Sequence, residues 1–139
     1  VVRTSWVIGR YGANMAKTIM RLAGGDGPLR FVDDQRGCPT VAADLATMLR
    51  MFVVERLPGT WHVTNQGAVS WYEFAGEVLR AAGADPARVE PITTAELTPP
   101  RPAPRPANSV LDNRALRLSG RALLPDFRES LPTLIRALR

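Results

Sequence analysis

The sequence predicts an α/β protein built in packed layers, and three observations carry that prediction. Short β-branched runs that end in glycine alternate with helical patterns through the first half. Helices and short strands mix in the second half. The 139 residues are 45% hydrophobic and 22% charged, ordinary globular usage with enough chain for one core. That composition excludes a disordered tail, a collagen-like polymer and a low-complexity scaffold. No apolar run approaches the roughly 20 residues that cross a bilayer.

Val1 to Gly9 is short, β-branched and closed by glycine, and reads as a strand; Gly9, Tyr11 and Gly12 then make a turn. Met15, Ile19 and Leu22 fall at helical spacing within 13–23, and Gly24-Gly25 stops that helix. Leu29 to Val32 is a short strand, followed by turn chemistry at Asp33 to Gly37. Thr40 stands where a helix cap is needed, ahead of an apolar face of Val41, Leu45, Met48, Leu49 and Phe52. Pro58-Gly59 ends that element, Thr60 to Thr64 alternates as a strand, and Asn65 to Ala68 is a turn.

Ser70-Trp71-Tyr72-Glu73 is a capping box, and Val69 and Phe74 are spaced as its hydrophobic staple. The helix it opens runs through Val78 and Ala82 to a stop at Gly83, and Val89 to Ile92 reads as a strand. Five of the twelve prolines crowd into residues 99–106, which must be extended or irregular and read as a loop wrapping the body. Leu131, Leu134, Ile135 and Leu138 share one face of a closing helix from Phe127 to Leu138.

The formal charge is +5, from 18 basic and 13 acidic residues with the one histidine neutral. All the basic residues but Lys17 are arginine, which together with the many alanines reflects GC-rich coding. The arginines are scattered, without interleaved aromatics or a reader motif, so nucleic acid is not an expected partner, and neither is a membrane. The single cysteine, Cys38, has no internal disulfide partner and points to a reducing compartment, the cytoplasm. His62 has no Cys or His at ligand spacing, so no metal cluster is expected. Arg3 and the loop-like stretch after Gly9 do not make a signal peptide. Because Val1 already opens in a strand, the sequence is expected to be a piece of a longer protein.

An ordered set of motifs goes further. It runs from Arg3-Thr4-Ser5-Trp6-Val7 and Asn14 through Asp34-Gln35 with Pro39-Thr40, Gly59-x-x-His62 and Ser70 to Ala75. It continues with Arg105-Pro106-x-Asn108-Ser109-x-Leu111 and Leu124-Pro125-Asp126-Phe127. In order and spacing this set resembles the carboxyl half of the dTDP-4-dehydrorhamnose reductases, which are extended short-chain dehydrogenase/reductases. The resemblance spans the whole chain. It implies the last strands of a Rossmann-type parallel sheet plus a small α/β substrate-binding lobe, in a single unit covering residues 1–139. It also implies reduction of the 4-keto sugar nucleotide to dTDP-L-rhamnose with NADPH or NADH. In that family a tyrosine protonates the nascent alkoxide, and a lysine lowers its pKa. The Tyr-x-x-x-Lys pair and the glycine-rich dinucleotide fingerprint do not occur in this sequence, so no catalytic residue is assigned to it.

By the resemblance, Ser5, Trp6 and Val7 lie beside the nicotinamide and the sugar, where an indole offers a flat apolar wall to a pyranose. Packing at a strand end is the alternative for Trp6. Asn14 is a diphosphate ligand at a helix start or a simple cap. Gln35 reads a thymine edge or holds its loop. Arg105, with Asn108 nearby, chelates the diphosphate or is one more surface arginine. His62 and Cys38 read as structural, and Trp71, Tyr72 and Phe74 as core. Some members of the family form homodimers around Mg2+, for which the sequence supplies no placeable ligands. A non-catalytic regulatory relative and a sugar-nucleotide epimerase stand as the alternative functions.

Overall fold

The computed structural model describes residues 1–100 and 102–139; Arg101, inside the proline-rich loop, lies outside the described residues. In chain order the elements are β1 (Val2–Arg3), β2 (Val7–Ile8), α1 (Met15–Ala23), β3 (Leu29–Val32), β4 (Arg36–Gly37), β5 (Thr40–Val41) and α2 (Ala42–Val54). There follow β6 (Trp61–His62), β7 (Val69–Ser70), α3 (Trp71–Ala82), β8 (Val89–Ile92), α4 (Arg114–Leu118) and α5 (Phe127–Leu138). Three strand pairs are parallel: β1 with β6, β2 with β5, and β3 with β8; β4 and β7 pair antiparallel. This is the predicted α/β class. No helix among the described residues is long and apolar enough to cross a membrane.

The first segment is two strands, not the single strand predicted. Trp6 sits at φ +45°, in the left-handed region that a bulky L-residue avoids. The chain breaks there and changes partner from β6 to β5, and the Trp6 carbonyl accepts the Thr40 N–H at 3.1 Å. A second correction concerns Arg36–Gly37. This dipeptide, read as turn, is β4, held against β7 on one side and against the proline-rich segment on the other.

Thr40 does not cap a helix. It is fully buried in β5, and α2 starts after Val41, which offers no side-chain cap. The task falls to Asn65, fully buried: its Oδ1 accepts the Val41 N–H at 2.8 Å. The same amide donates to the Asp44 carboxylate at 2.7 Å and to the Pro125 carbonyl at 3.0 Å. One side chain thus joins a helix start, a strand end and the approach to α5. Asn65→Ala orphans these buried partners and is expected to cost about 2–3 kcal/mol of unfolding free energy. Urea unfolding followed by circular dichroism checks this, and a loss within error of zero would contradict it.

Within α2, Leu45, Met48 and Phe52 are buried, while Leu49 is 38% exposed. At about 100° per residue, Leu49 falls at the margin of the stripe that the other three centre. The predicted capping box of α3 is present: Ser70 Oγ accepts the Glu73 N–H at 3.1 Å, and Glu73 accepts the Ser70 N–H at 2.7 Å. Val69 and Phe74 are buried in one cluster, as the staple requires. Gly83 ends α3 at φ +73°, a left-handed turn that glycine adopts without steric cost. The closing helix α5 occupies the predicted range behind an Asp126–Glu129 capping box. The short α4 was not predicted. It follows Asn113, a buried residue whose amide exchanges hydrogen bonds with the Thr64 backbone, accepting at 3.1 Å and donating at 3.0 Å.

Two apolar clusters result. The larger packs Ile8, Ile19, Phe74, Leu79, Phe127 and Ile135 between α1, α3, α5 and the strands. The smaller joins Leu45, Met48 and Phe52 of α2 to Val63, Leu116 and Leu124.

Candidate functional site

The start of β2, the turn before β4, the start of α3 and the end of the proline-rich segment meet around one cleft of about 430 Å³. Ser5, Trp6, Gln35 and Trp71 form its inner wall, and Arg105, Pro106 and Ser109 its outer one. The proline-rich segment is held there by backbone pairing. Arg36 donates to the Ala107 carbonyl at 2.8 Å, and its own carbonyl accepts the Ser109 N–H at 2.9 Å. Arg105 lies exposed between Pro104 and Pro106, whose rings restrict the backbone on either side.

Gln35 is only 4% exposed, although it borders the cleft. Its Nε2 donates to Thr94 Oγ1 at 2.8 Å, leaving the amide oxygen as the group free to accept. Thr94 also donates to Asp34, from its N–H at 2.8 Å and its hydroxyl at 2.7 Å. These bonds hold the Asp34 carboxyl below its ordinary pKa. The contribution of this tie to stability is therefore present at neutral pH and lost as pH falls through the lowered pKa.

Trp6 and Trp71 stack with ring centroids 3.5 Å apart and planes 8° from parallel. Gly37 makes room for them, since a Cβ at that position would lie 2.7 Å from two atoms of the Trp6 indole. Ser5 Oγ donates to the Cys38 carbonyl at 3.1 Å and so fixes the residue beside Trp6. Cys38 itself is buried, and burial pushes its thiol pKa up, against hydrogen bonds from Thr64 and Leu111.

Of the residues singled out in the sequence, Ser5, Trp6, Gln35 and Arg105 thus share one cleft. Val7, Asn14 and Asn108 are not on its lining. Val7 is in β2 and 45% exposed. Asn14 caps α1, accepting the Lys17 N–H at 3.3 Å and donating to the Gly9 carbonyl at 2.8 Å. Asn108 turns its side chain onto its own segment, accepting the Val110 N–H at 3.0 Å. His62 Nδ1 is 3.2 Å from the Asp112 carbonyl, in keeping with a structural role. Trp71, read from the sequence as core, does pack against the larger core cluster, and it lines the cleft as well. Its place at the first turn of a capped helix fitted a core face, and only its contact with Trp6 distinguishes it. Among the described residues, no group of three or more His, Cys, Asp or Glu side chains could hold a metal ion.

Comparison with known proteins supplies the family. Residues 1–139 match the family model described as the RmlD substrate binding domain. A Streptomyces antibioticus protein named as a probable dTDP-4,6-dihydroxy-2-methyloxan-3-one 4-ketoreductase is 44% identical over 134 residues, 94% of this chain and 44% of that one. The crystal structure of a dTDP-4-dehydrorhamnose reductase ortholog from Clostridium acetobutylicum is 42% identical and superposes with a TM-score of 0.91, covering 99% of this chain and 48% of that one. The Bacillus anthracis dTDP-4-dehydrorhamnose reductase, solved in complex with NADP, is 38% identical with a TM-score of 0.89, covering 97% of this chain and 47% of that one. The chain spans a little under half the length of the curated relatives it matches. Matched along its whole length by the family model and superposing closely on solved members, the chain belongs to the RmlD substrate binding domain family.

Proposed function

We propose that the protein carrying this chain reduces dTDP-4-dehydro-6-deoxy-L-mannose to dTDP-L-rhamnose, and that residues 1–139 are the single unit that holds the sugar nucleotide. The observation that carries this reading is the convergence of Ser5, Trp6, Gln35 and Arg105, from separate segments, on one cleft. In a family whose relatives are named for dTDP-sugar reduction, each side chain there has a matching part of the ligand.

The indole of Trp6 gives the pyranose an apolar wall. The free amide oxygen of Gln35 accepts a hydrogen bond from the thymine N–H. The Arg105 guanidinium meets the diphosphate with a planar pair of donors. Ser5 and Trp6 border the nicotinamide side, with Val7 next along the strand. Asn14 and Asn108 act from behind, as the α1 cap and as a support of the Arg105 segment.

NADPH or NADH supplies the hydride for the C4 ketone when it is bound. The residues of this chain orient the sugar toward it, and fixed orientation is a large part of catalytic advantage. Proton transfer belongs to groups outside these 139 residues, because the chain has no Tyr-x-x-x-Lys. The described residues offer no cluster for Mg2+, so no step is assigned to a metal. The reading places the protein in the cytoplasm, where the nicotinamide pool lies, as a homodimer that uses neither nucleic acid nor a membrane.

The test is a spectrophotometric assay of NADPH and NADH oxidation by the full protein with the 4-keto sugar nucleotide, the product being identified by NMR. Conversion to dTDP-L-rhamnose is expected. The 139 residues alone are expected to show no turnover. A folded full protein that leaves both cofactors unoxidised would overturn the reading.

A further inference from the structure

Trp6 combines two features that point to a functional position. Its backbone is at φ +45°, a conformation that costs a bulky residue energy, and its side chain lines the cleft. Strain of that kind persists only where the surroundings over-determine it. The two-residue strands on either side are too short to do so alone. The bond from the Thr40 N–H to the Trp6 carbonyl holds the backbone, and packing holds the side chain. The Trp71 indole lies flat on the Trp6 indole at 3.5 Å, and Gly37 leaves the space the ring occupies.

Trp71 is itself well anchored. It is the first residue of α3, directly after the Ser70 cap, and Ser70 Oγ also donates to Asp33 at 2.6 Å. Its ring meets Phe74 edge-on, with centroids 6.1 Å apart, and Phe74 is fully buried. A rigid path therefore runs from the core, through Phe74 and Trp71, to Trp6 at the cleft. β4, which carries Gly37, is held between β7 and the proline-rich segment, so the backbone beside the Nε1–Cζ2 edge of the ring is fixed as well.

We propose that Trp71 and Gly37 are positioning residues for sugar recognition. Trp71 stacks on one face of the Trp6 indole, Gly37 leaves room for its Nε1–Cε2–Cζ2 edge, and together they hold it in the orientation that receives the sugar. Trp71 also lines the cleft, but the positioning role assigned to both residues is exerted through Trp6. This rests on the functional reading above for the identity of the ligand, but not for the clamp itself.

The experiment uses the full protein labelled with fluorotryptophan, whose fluorine NMR signals for Trp6, Trp61 and Trp71 are assigned from single Trp→Phe variants. In Trp71→Leu and in Gly37→Ala, the Trp6 signal is expected to move as it leaves the ring-current field of its neighbour, while the Trp61 signal stays. In the same variants, KM for the sugar nucleotide is expected to rise about tenfold, with KM for the nicotinamide cofactor unchanged. Trp71→Phe keeps an aromatic face and is expected to recover most of the loss. A Trp6 signal unmoved in both variants would overturn the proposal, as would a moved signal with unchanged sugar KM. Equal losses in Trp71→Phe and Trp71→Leu would also overturn it, because they would indicate general destabilisation. A wild-type protein that does not reduce the sugar nucleotide would refute the functional reading, while the fluorine signals would still decide whether the clamp exists.

Discussion

Arg105→Ala is expected to weaken binding of a dTDP-sugar by about ten- to a hundredfold, the equivalent of one charge-assisted hydrogen-bond pair. Arg105 is exposed on the outer wall of the cleft, and its own segment is held in place by backbone bonds to Arg36. Removing the guanidinium should therefore leave the fold intact. The loss should also follow the diphosphate. Thymidine, which lacks phosphate, should bind wild type and variant equally, whereas dTDP should distinguish them by titration calorimetry. Arg105→Lys should recover only part of the affinity, because an ammonium keeps the charge but lacks the planar fork. Raising the salt concentration should narrow the gap between wild type and Arg105→Ala, since the site is open to solvent. If thymidine binding fell as far as dTDP binding, the arginine would be supporting the wall of the cleft and not its ligand.

The largest effect on stability is expected from Phe74→Ala, at about 3–5 kcal/mol. Phe74 is fully buried and touches Phe127 of α5, with ring centroids 5.9 Å apart, as well as Trp71. It is also the inner half of the staple that sets how the chain enters α3. Truncation would open a cavity where α3 and α5 meet and would remove the support beneath the indole pair. The variant is therefore expected to show two changes at once: a lower urea midpoint and weaker sugar-nucleotide binding at temperatures where it is still folded. Phe74→Leu, which fills most of the space, should cost much less. A Phe74→Ala protein with wild-type stability would mean that the larger core cluster does not depend on this ring.

Much of the fold could be read from residues close together in the chain. The α3 cap at Ser70 and Glu73, the stop at Gly83 and the buried face of α5 follow from spacings of a few residues, because hydrogen bonds and helical faces repeat over that range. The motif order pointed to the family for a similar reason: it is preserved in the linear sequence whatever the chain does in space. Ser5, Trp6, Gln35 and Arg105 could be proposed as site residues on that basis, but not their meeting in one cleft.

Other features depended on contacts between distant segments. Thr40 looks like a cap, but β5 buries it, and a distant amide, Asn65, satisfies the helix start instead. The break at Trp6 had no local signal, since a β-branched run gives no warning of a positive φ in its middle. The stacking of Trp71 on Trp6, and the need for glycine at 37, arise only when three segments far apart in sequence occupy one small volume. The sequence alone therefore determined the longer helices, the cap and stop of α3, and the family. Tertiary structure decided which aromatic faces the cleft and what holds it there, because periodicity and capping act over a few residues, whereas close packing and strand pairing act across space.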